Sequence, residues 1–339
     1  FYMTPGQLSP DGIAKFDKFL ELAEEAGLYV HPTGPDHWEG MPDWARRGRL
    51  VDDEALAAVQ SFWRLFAERY RDRSVIFAYD LLNEPEIPWD QPPMRDKWNR
   101  WLEKKYGSSD RLAAAWQRDA SELKLGHVPI PPRDAGANPN LLDYQYFREE
   151  LADEWTRRQV SAIKAADREA LVTVGLIQWS VPVALAGPWQ YAAFRPARQA
   201  QFLDFLEIHF YPLARGFYEY ASPDDERRNL AYLESVVREV AQPLKPVVVA
   251  EFGWYGGGKL TIHNGRHPPA TEEQQAQWCR RLVEVSMGWA CGWLNWGLHD
   301  HPQARDVTEL TGLLTVDGQT KAWGRVFREL SAQLRTQWV

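Results

Sequence analysis

Two short hydrophobic segments of the chain each end in a glutamate. Residues 75–85 read Val-Ile-Phe-Ala-Tyr-Asp-Leu-Leu-Asn-Glu-Pro, so Asn83 and Glu84 stand at the end of a segment that has the composition of a buried strand. Residues 246–253 read Pro-Val-Val-Val-Ala-Glu-Phe-Gly, and Glu251 stands where this hydrophobic run gives way to a glycine-rich loop. A carboxylate at such a position does not serve packing. Two glutamates at the ends of buried strands indicate a catalytic pair.

Helices and strands alternate along most of the chain. The first helix begins at Ser9-Pro10-Asp11, with serine as the cap and proline at the first helical position, and Gly27 ends it. The pattern predicts strands at 28–32, 75–82, 171–177, 203–211, 246–251 and 290–296, and helices at 52–70, 141–167, 225–240, 271–287 and 320–336. Such alternation is typical of parallel βαβ units in an α/β fold.

Polar and aromatic residues at strand ends favour a barrel over a doubly wound sheet. A doubly wound sheet concentrates its ligand site at one switch point, whereas a barrel gathers all its strand ends around one mouth. Here the candidate residues are spread along the chain: Glu84, Trp179, His209, Tyr211, Glu251 and Trp296. We therefore predict a TIM-type barrel formed by a single domain, residues 1–339.

The longest irregular stretch, residues 86–140, follows Glu84 directly. It contains two helix-like pieces, 94–106 and 109–118, and then a segment rich in proline and glycine. We expect this insertion to lie over the mouth of the barrel and to shape the site. The alternative is a solvent-side decoration.

The composition of the chain limits the classes of partner that it can bind. The net charge of -8, without a long basic run, argues against nucleic acid or an anionic membrane. Many of the 17 Trp fall at predicted loops or strand ends, where indole rings can cover the apolar face of a sugar, although tryptophan is also a normal core residue.

Two Cys exclude a disulfide framework, and no apolar run approaches the length of a membrane span. No signal peptide is visible; because the chain starts at Phe1, secretion and a cytoplasmic location both stay open, as does the oligomeric state.

Four strand-end motifs together resemble the clan A glycoside hydrolases, most closely glycoside hydrolase family 5. They are Asn83-Glu84-Pro85, Ile208-His-Phe-Tyr-Pro212, Val249-Ala-Glu-Phe-Gly253 and Trp293-Leu-Asn-Trp296, in the order of that family. The resemblance implies a (β/α)8 barrel in which these motifs close strands 4, 6, 7 and 8. Two predicted strands lie between the glutamates, in agreement with that register.

The chain departs from the family pattern near its first residues. Only the predicted strand 28–32 precedes strand 4, apart from a possible stub at Phe1-Tyr2-Met3. We therefore expect this sequence to lack strand 1, most of strand 2 and the arginine that usually supports the nucleophile in that family, either because the molecule is truncated relative to its relatives or because the segment lies outside this sequence. A second resemblance concerns the insertion, since residues 101–116 look like a segment of the family 42 β-galactosidases.

The resemblance implies a role for each motif residue. Glu84 would be the acid/base and Glu251 the nucleophile of a retaining glycosidase, roughly 5 Å apart, with no metal or cofactor required. Asn83 would bond the sugar 2-hydroxyl. Tyr211 would hold the nucleophile, and His209 would stand near the acid/base. Trp296 would form the sugar platform.

Further aromatic residues are expected around the mouth, each with an alternative role in the core: His31, His37, Trp38, Trp179 and Trp254. Asp80 is expected to be a buried structural acid, and Glu86 a solvated loop charge. The leading hypothesis is a retaining β-glycosidase acting on an oligo- or polysaccharide. The alternatives are a β-galactosidase-like exo-enzyme and a carbohydrate-binding barrel without catalysis. The sequence leaves mannan, cellulose, mixed-linkage glucan and galactoside all open as substrates.

Overall fold

The structure is a computed structural model that describes residues 2–4, 6–34, 48, 50–134, 138–181, 191–212, 222–262 and 267–337. The chain divides into two compact units. Unit 1 comprises Phe1–Val174 and Pro182–Asp204, and unit 2 comprises Gly175–Val181 and Phe205–Val339. The single-domain organisation stays a prediction.

Unit 1 is mostly helical. Its helices are α1 (Pro10–Glu25), α2 (Asp53–Tyr70), α3 (Pro92–Tyr106), α4 (Ser109–Trp116), α5 (Pro139–Ala166) and the short α6 (Pro196–Gln199). Polar side chains cap these helices as the sequence indicates: Ser9 accepts the amide of Gly12 at 3.2 Å, and Asp52 accepts that of Ala55 at 3.0 Å. Along α2, rings such as Phe62, Phe66 and Tyr70 are buried and contact one another.

The strands of unit 1 are few. β1 (Tyr2–Thr4) and β2 (Gln7–Leu8) form an antiparallel hairpin, so the stub expected at the first residues does not join the parallel sheet. β3 (Tyr79–Asn83) neighbours β4 (Val172–Ile177), and the Tyr79 amide donates to the Leu171 carbonyl at 2.8 Å. The first four residues of β3 are buried, as predicted from their composition.

The predicted strand 28–32 is wrong in its extent. The structure has only two isolated parallel bridges there, from Val30 to Ile76 and from Thr33 to Asp80. Leu28 and Tyr29 are 63% and 78% exposed. Apolar composition predicted a strand, but a continuous ladder requires hydrogen bonds at every second residue, and this segment makes them only around the two bridges.

Unit 2 contains the end of β4 and three further parallel strands. β5 (Leu206–Phe210), β6 (Val247–Phe252) and β7 (Gly292–Asn295) follow β4 in the order β4-β5-β6-β7. The helices are α7 (Pro223–Val240), α8 (Glu272–Ser286) and α9 (Ala322–Gln337), and 3-10 turns lie at Gln178–Ser180 and Val307–Leu310. Strands, helices and parallel pairing confirm the predicted α/β class.

β7 has one covered and one exposed face. The Trp293 indole donates to the Ser286 hydroxyl of α8 at 2.8 Å, and Asn295 accepts from the Trp323 indole of α9 at 2.7 Å. On the alternate positions, Leu294 and Trp296 are each 47% exposed. The sequence predicted a buried strand, but only the face toward the helices is covered.

None of the helices in the described ranges is long and apolar enough to cross a membrane.

The insertion after β3 is held to α5 by one buried carboxylate. Asp143 accepts from Lys105 Nζ at 2.6 Å, from the Trp116 indole at 2.9 Å and from the Tyr106 hydroxyl. These three donors come from α3 and α4, the two helices that the sequence predicted inside the insertion. One acid therefore fixes both helices to α5. The expectation that the insertion covers the barrel mouth stays a prediction.

We expect Asp143→Ala to lower the free energy of unfolding by about 3 kcal/mol, because the substitution leaves a buried indole, a hydroxyl and an ammonium without their acceptor. Glu150→Ala, at an exposed position of the same helix, should change it by less than about 0.5 kcal/mol. Urea denaturation of the two variants measures both values. Equal effects would show that the Asp143 contacts do not stabilise the insertion.

Candidate active site

Unit 1 places Asn83 and Glu84 at the carboxyl end of β3. Both side chains are half-buried. Glu84 has φ 45, in the left-handed region that non-glycine residues rarely adopt, and such strain often accompanies functional sites. Asp80, deeper in the strand, is 3% exposed and accepts the Leu82 amide at 3.2 Å, so its expected burial is confirmed and its structural role stays a prediction.

The segment after Glu84 is fixed by ion pairs. The Glu86 side chain is 40% exposed, as expected of a solvated loop charge, but it also lies 3.2 Å from Arg133 and 4.0 Å from the fully buried Arg148. Arg148 also donates to the carbonyls of Ile87 at 2.5 Å and Tyr191 at 3.0 Å. Burial raises the pKa of the Glu86 carboxyl, and the two guanidiniums oppose that rise. The sequence did not predict these interactions, because no local pattern indicates that Arg148 of α5 is buried.

The other expected residues of unit 1 have mixed outcomes. His31 is half-buried, and its Nδ1 lies 2.9 Å from the Ala78 carbonyl oxygen, one residue before β3. His37 and Trp38 lie outside the described residues. All three assignments to substrate binding stay predictions.

Unit 2 brings Glu251, Tyr211 and His209 together at the carboxyl ends of β5 and β6. The Tyr211 hydroxyl donates to Glu251 Oε2 at 2.8 Å, and His209 Nδ1 lies 3.6 Å from the same oxygen. His209 and Glu251 are direct partners in the parallel ladder, next to a register shift that follows Ile208. Tyr211 and His209 are buried, whereas Glu251 is half-buried. The carboxylate is thus held from the neighbouring strand while retaining solvent access.

Gln178 is a site residue that sequence reasoning missed. Its side-chain amide donates to the Tyr211 carbonyl at 3.0 Å, and its oxygen accepts the Tyr211 amide at 2.8 Å. Both backbone groups of Tyr211 are therefore fixed by one buried side chain. Gln178 stands next to Trp179, which was an expected site residue because of its aromatic ring. No sequence motif indicates a role for the glutamine.

The three tryptophans expected in unit 2 differ in their surroundings. Trp296 is exposed at the end of β7, as a sugar platform requires. Trp179 is half-buried in the turn after β4. Trp254 is 2% exposed, and its ring stacks against Trp278 and His267. The Trp254 indole therefore lies in the core, and its expected place at the mouth is wrong. An aromatic residue that follows a strand end can pack beneath the next helix instead of lining the mouth.

The two glutamates lie in different units, Glu84 in unit 1 and Glu251 in unit 2. Their pairing stays a prediction of the sequence, as do the individual roles of the surrounding residues.

A hydrogen bond from Tyr211 to Glu251 predicts a measurable effect. For the glycoside hydrolysis that the sequence resemblance implies, we expect Tyr211→Phe to lower kcat/KM by about 10- to 100-fold, because a hydrogen bond to a charged group contributes about 1.5–3 kcal/mol. Tyr255→Phe is the matched control, since the buried Tyr255 hydroxyl donates to the Pro268 carbonyl at 2.8 Å. Steady-state kinetics of both variants decide the point. A loss in the control as large as that in Tyr211→Phe would assign the effect to packing.

Comparison with known proteins supports the barrel interpretation. The β-galactosidase of the psychrophilic Marinomonas ef1 is 17% identical, with a TM-score of 0.72 over 98% of this chain and 53% of that chain. The β-galactosidase of the haloarchaeon Halorubrum lacusprofundi is 18% identical, with a TM-score of 0.72 over 95% of this chain and 51% of that chain. A family 5 glycoside hydrolase from Streptomyces cattleya is 17% identical, with a TM-score of 0.61 over 98% of this chain and 69% of that chain. The chain thus spans about half the length of the two β-galactosidases. No curated protein matches it in sequence.

The fold is that of the TIM-barrel glycoside hydrolases of clan A, as the four strand-end motifs predicted. A family model described as β-galactosidase, glycoside hydrolase family 42, matches residues 53–275, which is more than half of the chain. The chain belongs to this family. The resemblance to family 42 that the sequence showed at 101–116 therefore extends well beyond the insertion. The similarity of this chain to family 5 is one of fold.

Proposed function

We propose that this protein is a retaining β-glycosidase that hydrolyses β-galactosides. Glu251 is the nucleophile and Glu84 the acid/base. The observation that carries the proposal is the hydrogen bond from Tyr211 to Glu251 at 2.8 Å, at the end of a parallel strand in a chain of family 42. Membership of that family favours a galactoside over the other β-glycosides that the sequence left open.

The reaction has two steps in this proposal. First, a Glu251 carboxylate oxygen bonds to the anomeric carbon while the Glu84 carboxylic acid gives its proton to the departing glycosidic oxygen. The aglycone leaves as an alcohol, and the sugar remains as an ester of Glu251. Second, the Glu84 carboxylate takes a proton from water as the water oxygen bonds to the anomeric carbon, and the ester bond to Glu251 breaks. Two inversions leave the anomeric configuration unchanged.

The neighbours of Glu251 suit the first step. The Tyr211 hydroxyl donates to Oε2 of Glu251, which fixes the rotation of the carboxylate and so orients its attack. The half-exposed indole of Trp296, at the end of the next strand, offers an apolar face for the sugar ring. Asn83, adjacent to Glu84, supplies an amide for the sugar 2-hydroxyl, a contact that strengthens in the transition state.

A panel of aryl β-glycosides tests the proposal. The panel contains the galactoside, glucoside and mannoside of one leaving group, with the configuration of the first-formed sugar followed by NMR. We expect the galactoside to give the highest kcat/KM and the β-anomer to form first. Preference for the mannoside would move the substrate toward the mannose-containing ligand, Manβ1-4GlcNAc, of the Streptomyces cattleya structure. First formation of the α-anomer would contradict retention, and binding of galactose without hydrolysis of any glycoside would favour a carbohydrate-binding protein.

A further inference from the structure

A buried lysine in unit 2 joins the segments that follow β6 and β7. Lys321, directly before α9, has a side chain that is 1% exposed. Its ammonium donates to the carbonyls of Gly256 and Leu310, each at 2.9 Å, and to Asp300 Oδ1 at 2.8 Å. An ammonium has three hydrogens, so these three acceptors satisfy it completely.

These acceptors come from the two loops that carry site residues. Gly256 lies five residues after Glu251, in the loop that leaves β6. Asp300 lies four residues after Trp296, in the segment that leaves β7, and Leu310 lies further along the same segment. Lys321 therefore links the strand end of the proposed nucleophile to that of the proposed sugar platform.

The two strand ends also touch directly. A Cβ added at Gly253 would lie 2.8 Å from the Trp296 carbonyl oxygen, closer than such atoms approach, so the backbones at these positions are in contact. The Trp296 amide donates to the Phe252 carbonyl at 2.9 Å. A shift of either loop would therefore be transmitted to the other at the level of Glu251 and Trp296.

Asp300 completes the link. Its Oδ1 accepts the Gly312 amide at 2.9 Å in addition to the Lys321 ammonium, and its side chain is 7% exposed. Gln275 of α8 also donates to the Leu310 carbonyl, at 3.1 Å, and to the Trp254 carbonyl at 2.8 Å. The loops are thus held by a side chain of α8 and by the lysine that directly precedes α9, and Lys321 supplies the only charge among these donors.

We propose that Lys321 is a positioning residue for the reaction: it sets the Glu251 carboxylate against the Trp296 indole by clamping the loops that follow β6 and β7. The inference rests on the proposed function and deepens it. The three acceptors of the Lys321 ammonium lie in the loops and belong to neither Glu251 nor Trp296, so its effect on catalysis passes through the two loops. Because a displacement of about 1 Å can cost about 100-fold in rate, a small shift of the clamp is enough to be measured.

The test compares Lys321→Met, Lys321→Arg and Asp300→Asn with the control Lys259→Met. Methionine keeps most of the length of the buried side chain and removes all three donors, arginine keeps the charge, and asparagine keeps the shape of Asp300 without its charge. Lys259 is exposed in the loop after β6, three residues beyond Gly256. Each variant is studied below its melting temperature by kinetics on an aryl β-galactoside and by hydrogen exchange of the backbone.

For Lys321→Met we expect kcat/KM to fall by about 10- to 100-fold, with KM raised as well as kcat lowered, because both platform and nucleophile move. Hydrogen exchange should accelerate at least tenfold in residues 253–258 and 296–312. Lys321→Arg should recover part of the loss, Asp300→Asn should reproduce part of it, and Lys259→Met should change neither measurement by more than twofold.

Two results for Lys321→Met would overturn the proposal. Unchanged kinetics and unchanged exchange in Lys321→Met would overturn the proposal. A lower melting temperature with unaltered KM, and exchange raised uniformly through unit 2, would also overturn it, since a merely structural lysine predicts that pattern. If the wild-type protein hydrolyses no glycoside, the proposed function fails, whereas localised exchange in the two loops still decides whether the clamp exists. If Lys321→Met does not fold, Asp300→Asn carries the same two measurements.

Discussion

Replacing Glu251 with glutamine is expected to lower kcat for β-galactoside hydrolysis by about 10⁴-fold or more. The amide has almost the shape of the carboxylate, and its oxygen can still accept the Tyr211 hydroxyl that now lies 2.8 Å from Oε2. A neutral amide cannot form the ester with the anomeric carbon, so the first step loses its nucleophile. The substitution therefore separates chemistry from packing.

Two measurements accompany the Glu251→Gln variant. Its melting temperature should lie within a few degrees of the wild type, and galactose should still bind, because Trp296 and Asn83 remain in place. Glu234→Gln, an exposed change on α7, is the charge-matched control and should retain full activity. Activity within tenfold of the wild type would rule Glu251 out as the nucleophile.

Replacing Glu84 with glutamine should give an effect that depends on the leaving group. For an alkyl galactoside, whose oxygen must be protonated as it departs, we expect kcat/KM to fall by about 10³- to 10⁴-fold. For a dinitrophenyl galactoside, which departs as a stable anion, kcat/KM should fall by less than about tenfold. Loss of the acid matters only where a proton is needed.

The second step supplies an independent check on Glu84. Without its general base the glycosyl ester should accumulate, and azide, which needs no deprotonation, should restore turnover and yield the β-galactosyl azide. Glu86→Gln is the matched control, because Glu86 stands two residues further on and pairs with Arg133 at 3.2 Å. An equal loss for all leaving groups, or azide rescue in Glu86→Gln instead, would contradict the assignment.

Hydrophobic pattern and helix signals were sufficient to predict most of the elements. The strand predicted at 171–177 is β4, Val172–Ile177, and the helix predicted at 52–70 is α2, Asp53–Tyr70. These segments are long or continuously apolar, and a capping side chain such as Asp52 marks the start of the helix. Local sequence therefore determined these elements.

Features that depend on distant partners were not predictable. The segment 28–32 is apolar enough for a strand, yet its pairing is limited to bridges such as Val30 to Ile76. Trp254 was expected at the mouth, but Trp278 and His267 from later in the chain enclose its ring. Both outcomes depend on residues far away in sequence, which single-sequence patterns do not specify.

The candidate site shows the same division. The resemblance of the strand-end motifs to the clan A glycoside hydrolases implied the contact between Tyr211 and Glu251, and the structure shows it at the carboxyl ends of two neighbouring parallel strands. The residues that hold these side chains in place were missed. Gln178 and Lys321 act through backbone groups of loops, and neither carries a motif.

The most direct test of the central claim is to trap the glycosyl ester. A dinitrophenyl 2-deoxy-2-fluoro-β-galactoside should react with the wild-type protein, because the leaving group speeds the first step while the fluorine slows both. Mass spectrometry of the digested protein should then find one fluorogalactosyl group on the peptide that contains Glu251, and none in Glu251→Gln. A label on another residue, or hydrolysis of galactosides by a protein that never takes up the label, would contradict the assignment of Glu251 as the nucleophile.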